Sequence, residues 1–147
     1  MKSPPESSGA QLPPDVTFDT ELNLLVWRPS GVLNEGAVNQ VITFVGKKET
    51  EPGAVYLRFS DLSGLDSVEL NFKYVFHVAL YRRLTYANRP NVKSAFLVTD
   101  ADALHYVKLH GVLTDHSALT VKHFEDYDDA AKWLEVPVQS IRPPAAG

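Results

Sequence analysis

Two hydrophobic rhythms alternate along the chain. Short apolar runs of strand-favouring residues recur between longer segments whose apolar positions return every three to four residues. Residues 16–19 and 23–28 read as two short strands, with Leu24, Leu25, Val26 and Trp27 as apolar content and Thr20–Glu21 at the turn. Pro29 and Gly31 end that segment. Residues 35–45 predict a helix. Asn34 suits its N-cap, Val38, Val41, Ile42 and Val45 share one face, and Gly46 suits its C-terminal cap. A strand follows over 54–59. After a polar loop the longest helix is predicted over 68–87, stopped before Pro90. Residues 93–99 form another strand, whose consecutive Ala95, Phe96, Leu97 and Val98 suit burial on both faces. Thr99 or Asp100 caps a helix to about residue 110, with Gly111 just past its end. Residues 119–124 are the last strand, and Asp126 caps a final helix holding Ala130, Ala131, Trp133 and Leu134.

The predicted order is β β α β α β α β α. Strands separated by helices imply a mainly parallel sheet, and only the opening pair is free to form a hairpin. The fold class expected is therefore a single α/β domain over residues 16–135, with a mixed, mainly parallel sheet of four or five strands flanked by about four helices. Residues 1–15 hold Pro4, Pro5, Pro13 and Pro14 with scattered Ser and Gly, and read as a flexible tail. No hydrophobic stretch follows Lys2, so they are not read as a secretory signal. Residues 136–147 read as a second, Pro-rich tail in which Val136, Val138 and Ile141 alternate and leave room for a short edge pairing. No run approaches the ~18 apolar residues that span a bilayer.

Composition narrows the chemistry. The chain of 147 residues is 44% hydrophobic, enough to build a core. It has no cysteine, which removes disulfides, thiolate metal sites and thiol catalysis, and fits a cytoplasmic location. The net charge of −4 argues against a nucleic-acid coat, which needs clustered positive surface. The five histidines His77, His105, His110, His116 and His123 show no zinc spacing. The acidic cluster Glu125, Asp126, Asp128 and Asp129 lacks the glycine and closing glutamate of a calcium loop, and suits a helix start. No phosphate loop, nucleophile elbow or dinucleotide fingerprint is present. No catalytic residue, metal or cofactor is expected.

The segment from Phe59 to Leu70 links a central strand to the longest helix. Loops at the carboxyl ends of parallel strands are where such sheets place their sites. Asp61, Ser63, Asp66 and Ser67 are the candidate binding loop. Asp66 or Ser67 caps the helix, and the helix start then favours an anion or a partner's carboxylate; the alternative is that these residues serve only as caps.

These residues resemble the STAS family, the bacterial anti-sigma-factor antagonists, which carry Asp-Leu-Ser-x-x-Asp-Ser-Ser-Gly between the third strand and second helix. Asp61, Leu62, Ser63, Asp66 and Ser67 match in order and spacing. The last helix, with Ala130, Trp133 and Leu134, resembles the Ala-x-x-Trp-Leu close of the sporulation-antagonist-like branch. The resemblance implies a regulatory module that acts through protein contact. In the family the second serine of the motif is phosphorylated by the partner kinase. Val68 stands at that position and Glu69 at the glycine, so the phosphorylation switch is not expected. A related branch with this fold binds ligands or partners without it.

The long helix adds its own signal. At about 100° per residue, Phe72, Val75, Phe76, Ala79 and Leu80 fall on one face, which should pack on the sheet. Tyr74, Val78 and Tyr81 fall near the opposite side with His77 at its edge, and suit a partner surface. A tail or neighbouring helix covering these rings is the alternative. Arg83 either buries its stem or pairs with a carboxylate such as Asp61. The expectation is a non-enzymatic module with a protein partner, as a homodimer through the Tyr74, His77, Val78 and Tyr81 stripe. The runner-up is a small-ligand module for a lipid or an anion, with a pocket between the long helix and the sheet.

Overall fold

The computed structural model describes residues 13–48, 57–85, 91–114 and 119–144. The parts of the expected strand and helix at 54–56 and 86–87, and the side chain of Arg83, lie outside the described residues. Five strands form the main sheet: β1 (Val16–Asp19), β2 (Leu24–Trp27), β4 (Leu57–Asp61), β6 (Val92–Leu97) and β7 (Leu119–Phe124), in the order β1-β2-β4-β6-β7. β1 pairs antiparallel with β2 and every other pair is parallel. The hairpin turns on Asp19, whose carboxylate accepts from the N–H groups of Glu21 and Leu22. Four helices follow the crossovers: α1 (Glu35–Lys48), α2 (Phe72–Thr85), α3 (Ala101–Leu113) and α4 (Tyr127–Leu134). The single α/β domain with a mixed, mainly parallel sheet is as expected.

The strand order dictates where the helices go. From β2 to β7 the sheet grows in one direction, and parallel crossovers are right-handed. Successive crossovers therefore lay α1, α2 and α3 on one face. The other face is left to α4 and the segment after it. Leu24, Val26, Phe59, Ala95 and Leu97 point there and pack on Ala130, Ala131, Leu134 and Ile141. A 3-10 turn over Val138–Ser140 lets Val136 and Val138 cover this core and buries Ile141 completely. The residues after 135 thus close the core through Ile141 rather than pairing as an edge strand, because one sheet face would otherwise lie open beyond the eight-residue α4.

A second, two-stranded parallel ribbon was not foreseen. β3 (Gly31–Asn34) pairs with β5 (Leu65–Glu69), with a bulge between Gly31 and Val32. Gly31 holds φ at 72°, a left-handed turn that takes the chain out of the main sheet. Leu33 and Val68 then point into the core beside α1. This corrects the expected helix start: residues 65–69 are strand, and α2 begins at Phe72. Its N-cap is Asn71, whose side-chain oxygen accepts from the Tyr74 N–H at 2.8 Å. The caps expected at Asn34, Asp100 and Asp126 do form. Gly46 and Gly111 lie inside α1 and α3, which run on to Lys48 and Leu113. At Gly111 a Cβ would stand 3.7 Å from Val121, an ordinary contact, so the packing of α3 on β7 does not require glycine there.

Width explains the packing of α2. Five strands span roughly 24 Å, while three helices abreast need roughly 30 Å. α2 packs chiefly on α3. Of the face expected to meet the sheet, only Val75 and Ala79 are buried. Phe72, Phe76 and Leu80 are exposed, which corrects that expectation.

Candidate functional site

The candidate loop divides into a buried node and an exposed strand. Asp61 ends β4 and is 4% exposed. Its Oδ2 accepts from Arg28 Nη1 and from the Tyr127 hydroxyl, each at 2.7 Å. Its Oδ1 accepts from the backbone N–H and hydroxyl of Ser63, at 3.0 and 2.6 Å. Arg28 also donates to the carbonyls of Ile141 and Arg142. Burial, and then the bond to Asp61, push the Tyr127 hydroxyl above its usual pKa. This carboxylate ties the ends of β2 and β4 to α4 and the closing segment. Asp66 and Ser67 stand apart from it, exposed on β5. The expected anion site at a helix start does not form there, because the helix starts five residues after Ser67.

The four residues expected at an interface do come together. Tyr74, His77, Val78 and Tyr81 line one side of a groove between α2 and α1, whose other side is Asn39, Ile42, Thr43, Gly46 and Lys47. The groove encloses about 620 Å³. The Tyr74 hydroxyl donates to Asn39 Oδ1 at 2.6 Å and lies 3.2 Å from the Glu35 carbonyl. Burial, with the Glu35 charge adding to it, pushes this hydroxyl up to about 12. Beside the groove, α2 presents a ridge of Phe72, Phe76, Leu80 and Leu84, one residue per turn, exposed by 45% to 68%. The Phe72 ring meets the rings of His105 and Tyr106 on α3, at 5.2 and 5.6 Å.

Under α2 lies a cavity of about 150 Å³, walled by β2, β4, β6, α1, α2 and α3. Its sheet wall is not uniformly apolar. Arg58, Ser60 and Ser94 line it, at 7%, 8% and 5% exposure. The main apolar clusters on this face stand to either side of these residues, one around Leu25, Trp27 and Phe44 and another around Leu62, Ala103 and Val107.

No family model matches this chain, and no curated protein matches it. Among solved structures similar to this chain is the crystal structure of an uncharacterized protein from the DUF3478 family with a SpoIIAA-like fold, from Shewanella loihica PV-4. The match covers 76% of this chain and 83% of that chain, at 16% identity and a TM-score of 0.49. No residue role is carried across. Among the described residues, no helix is long and apolar enough to cross a membrane.

The pocket between the long helix and the sheet was the runner-up expectation and is present, but its polar wall was not named, and the exposed ridge was missed from the sequence. Leu84 was never placed on a face. The cavity had a visible signal in Leu57-Arg58-Phe59-Ser60-Asp61. Alternation puts Arg58 and Ser60 on one side of a central strand, where a doubly covered sheet wants apolar residues.

Proposed function

We propose that this chain is a non-enzymatic, cytoplasmic regulatory module that acts through protein contact, and that α2 is its contact element. The carrying observation is the exposed ridge Phe72, Phe76, Leu80 and Leu84. Four large apolar side chains at successive turns span roughly 18 Å, the footprint of a helix or extended segment laid along α2. Exposed patches of this kind mark interaction sites. Tyr81, 48% exposed, joins the ridge to the groove against α1. Tyrosine suits such a position because it buries area while keeping a polar end.

The partner that fits is an acidic segment with apolar anchors. The sequence of α2 carries Lys73, Arg82 and Arg83 and no carboxylate. A second copy of this helix would bring the same net positive charge with it, which disfavours the homodimer first expected. An acidic partner gains instead from complementary charge.

Partner recovery from the native host, followed by reconstitution from purified components, tests this. Wild type should sediment as a monomer and bind an acidic partner, more weakly as salt rises. Leu80→Glu should lose that binding by about a hundredfold while its circular dichroism stays native. A reconstituted partner held equally by Leu80→Glu would sink the reading. A wild-type dimer that Leu80→Glu dissociates would replace it with self-association.

A further inference from the structure

The cavity under α2 is a separate feature from the ridge. Its lining is apolar except at a few points, and two of these are Ser60 and Ser94. Both are more than nine-tenths buried, and among the described residues neither hydroxyl has a hydrogen-bond partner. Buried hydroxyls are normally paired, so an unpaired couple facing one space asks for a partner inside it. The two are set for one ligand. Ser94 on β6 is the register partner of Arg58 on β4, and Ser60 lies two residues further along β4 on the same face. Arg58 is engaged elsewhere in the protein, but its guanidinium carries five N–H donors and brings positive charge to this wall. Among the described residues that line the cavity, none is Asp or Glu.

We propose that this cavity is a binding site for a small apolar monocarboxylic acid. Its carboxylate accepts from the Ser60 and Ser94 hydroxyls beside Arg58, and its hydrocarbon part lies among Val41, Val75 and Val107. Charge-assisted bonds of this kind are the strong ones in a low-dielectric site. Volume sets the size. A cavity of about 150 Å³ accepts a molecule of roughly the bulk of benzene, so a ring or short branched chain fits and a long acyl chain does not. Ile42, Tyr74 and Val78 line both this cavity and the α1/α2 groove, so they form the partition between the ligand and the surface.

Benzoate, benzyl alcohol and benzylamine are the probes, equal in ring and different in charge. Trp27 lines the cavity while Trp133 packs on the opposite core, so Trp133→Phe leaves one indole as reporter. Benzoate should change Trp27 fluorescence saturably, about tenfold more tightly than benzyl alcohol, with benzylamine not binding. Ser94→Val and Ser60→Ala should each weaken benzoate by about tenfold and leave benzyl alcohol less affected. Native circular dichroism of each variant guards against misfolding. No saturable response to millimolar benzoate, equal binding of benzylamine, or serine variants that bind benzoate as wild type does would each overturn the proposal.

Discussion

On one face of the five-stranded sheet, β4 sets Phe59 against α4 and Ile141. On the other face, one residue to either side, the same strand sets Arg58 and Ser60 against a cavity. The first face is apolar at its centre, at Leu24, Val26, Phe59, Ala95 and Leu97, and carries its buried carboxylate, Asp61, only at the end of β4. The second is apolar at its flanks and polar at its centre. The first is covered by one short helix and a closing segment, the second by three helices and a two-stranded ribbon. The more crowded face is thus the one that leaves space. Coverage is not packing: helices too wide for their sheet ride above it, and the gap falls over the central strands.

The contrast can be broken by substitution at neighbouring positions. Phe59→Ala should cost the most, about 3–5 kcal/mol, because a fully buried ring is replaced by a void in a dense core. Urea unfolding followed by circular dichroism reads this, and a loss under about 1 kcal/mol would make the two faces equivalent. Asp61→Asn should come next, at roughly 2 kcal/mol, since one amide cannot accept from Arg28, Tyr127 and Ser63 as the carboxylate does. The same measurement on Arg28→Lys should show a smaller loss, because the bonds to the closing segment depend on the guanidinium fork.

Ser60→Ala should change stability by less than about 1 kcal/mol, since it removes a hydroxyl without a described partner. A loss as large as that of Phe59→Ala would mean that the cavity wall is part of the structural core. The smallest effect lies at alkaline pH. The Tyr74 hydroxyl is raised from 10.0 to about 12, so the unfolded chain loses its proton first. Its contribution is complete below the unfolded pKa and is lost as pH rises through the folded one. Tyr74→Phe should flatten that part of the stability profile above about pH 10, read by thermal melts across the range, and leave the profile below it unchanged in slope.

Much of the fold was written locally. The caps at Asn34, Asp100 and Asp126 could be named because each bonds an N–H three residues on, within reach of its own side chain. The strands β2 and β6 announced themselves by the apolar runs Leu24–Trp27 and Ala95, Phe96, Leu97, which suit strands covered by helices on both faces. The α/β class followed from the alternation of such runs with helical periodicity. The STAS-like loop motif, by contrast, matched in sequence while its residues parted in space. Asp61 became a buried tie, and Asp66 and Ser67 went to an exposed strand.

What the chain alone did not decide were the features that depend on distant partners. Leu65–Glu69 is a strand only because Gly31 turns β3 out to meet it, more than thirty positions away in sequence. Ile141 is core only because α4 is too short to cover its face. The helix α2 is apolar nearly all round, so its periodicity offered two faces and no means of choosing. The choice came from the width of the sheet beneath three helices, a quantity that no local window contains. The same misfit opened the cavity and left the ridge in solvent. Local hydrogen bonds and burial patterns belong to a few adjacent residues, whereas a gap or an uncovered face belongs to the assembly of all the layers.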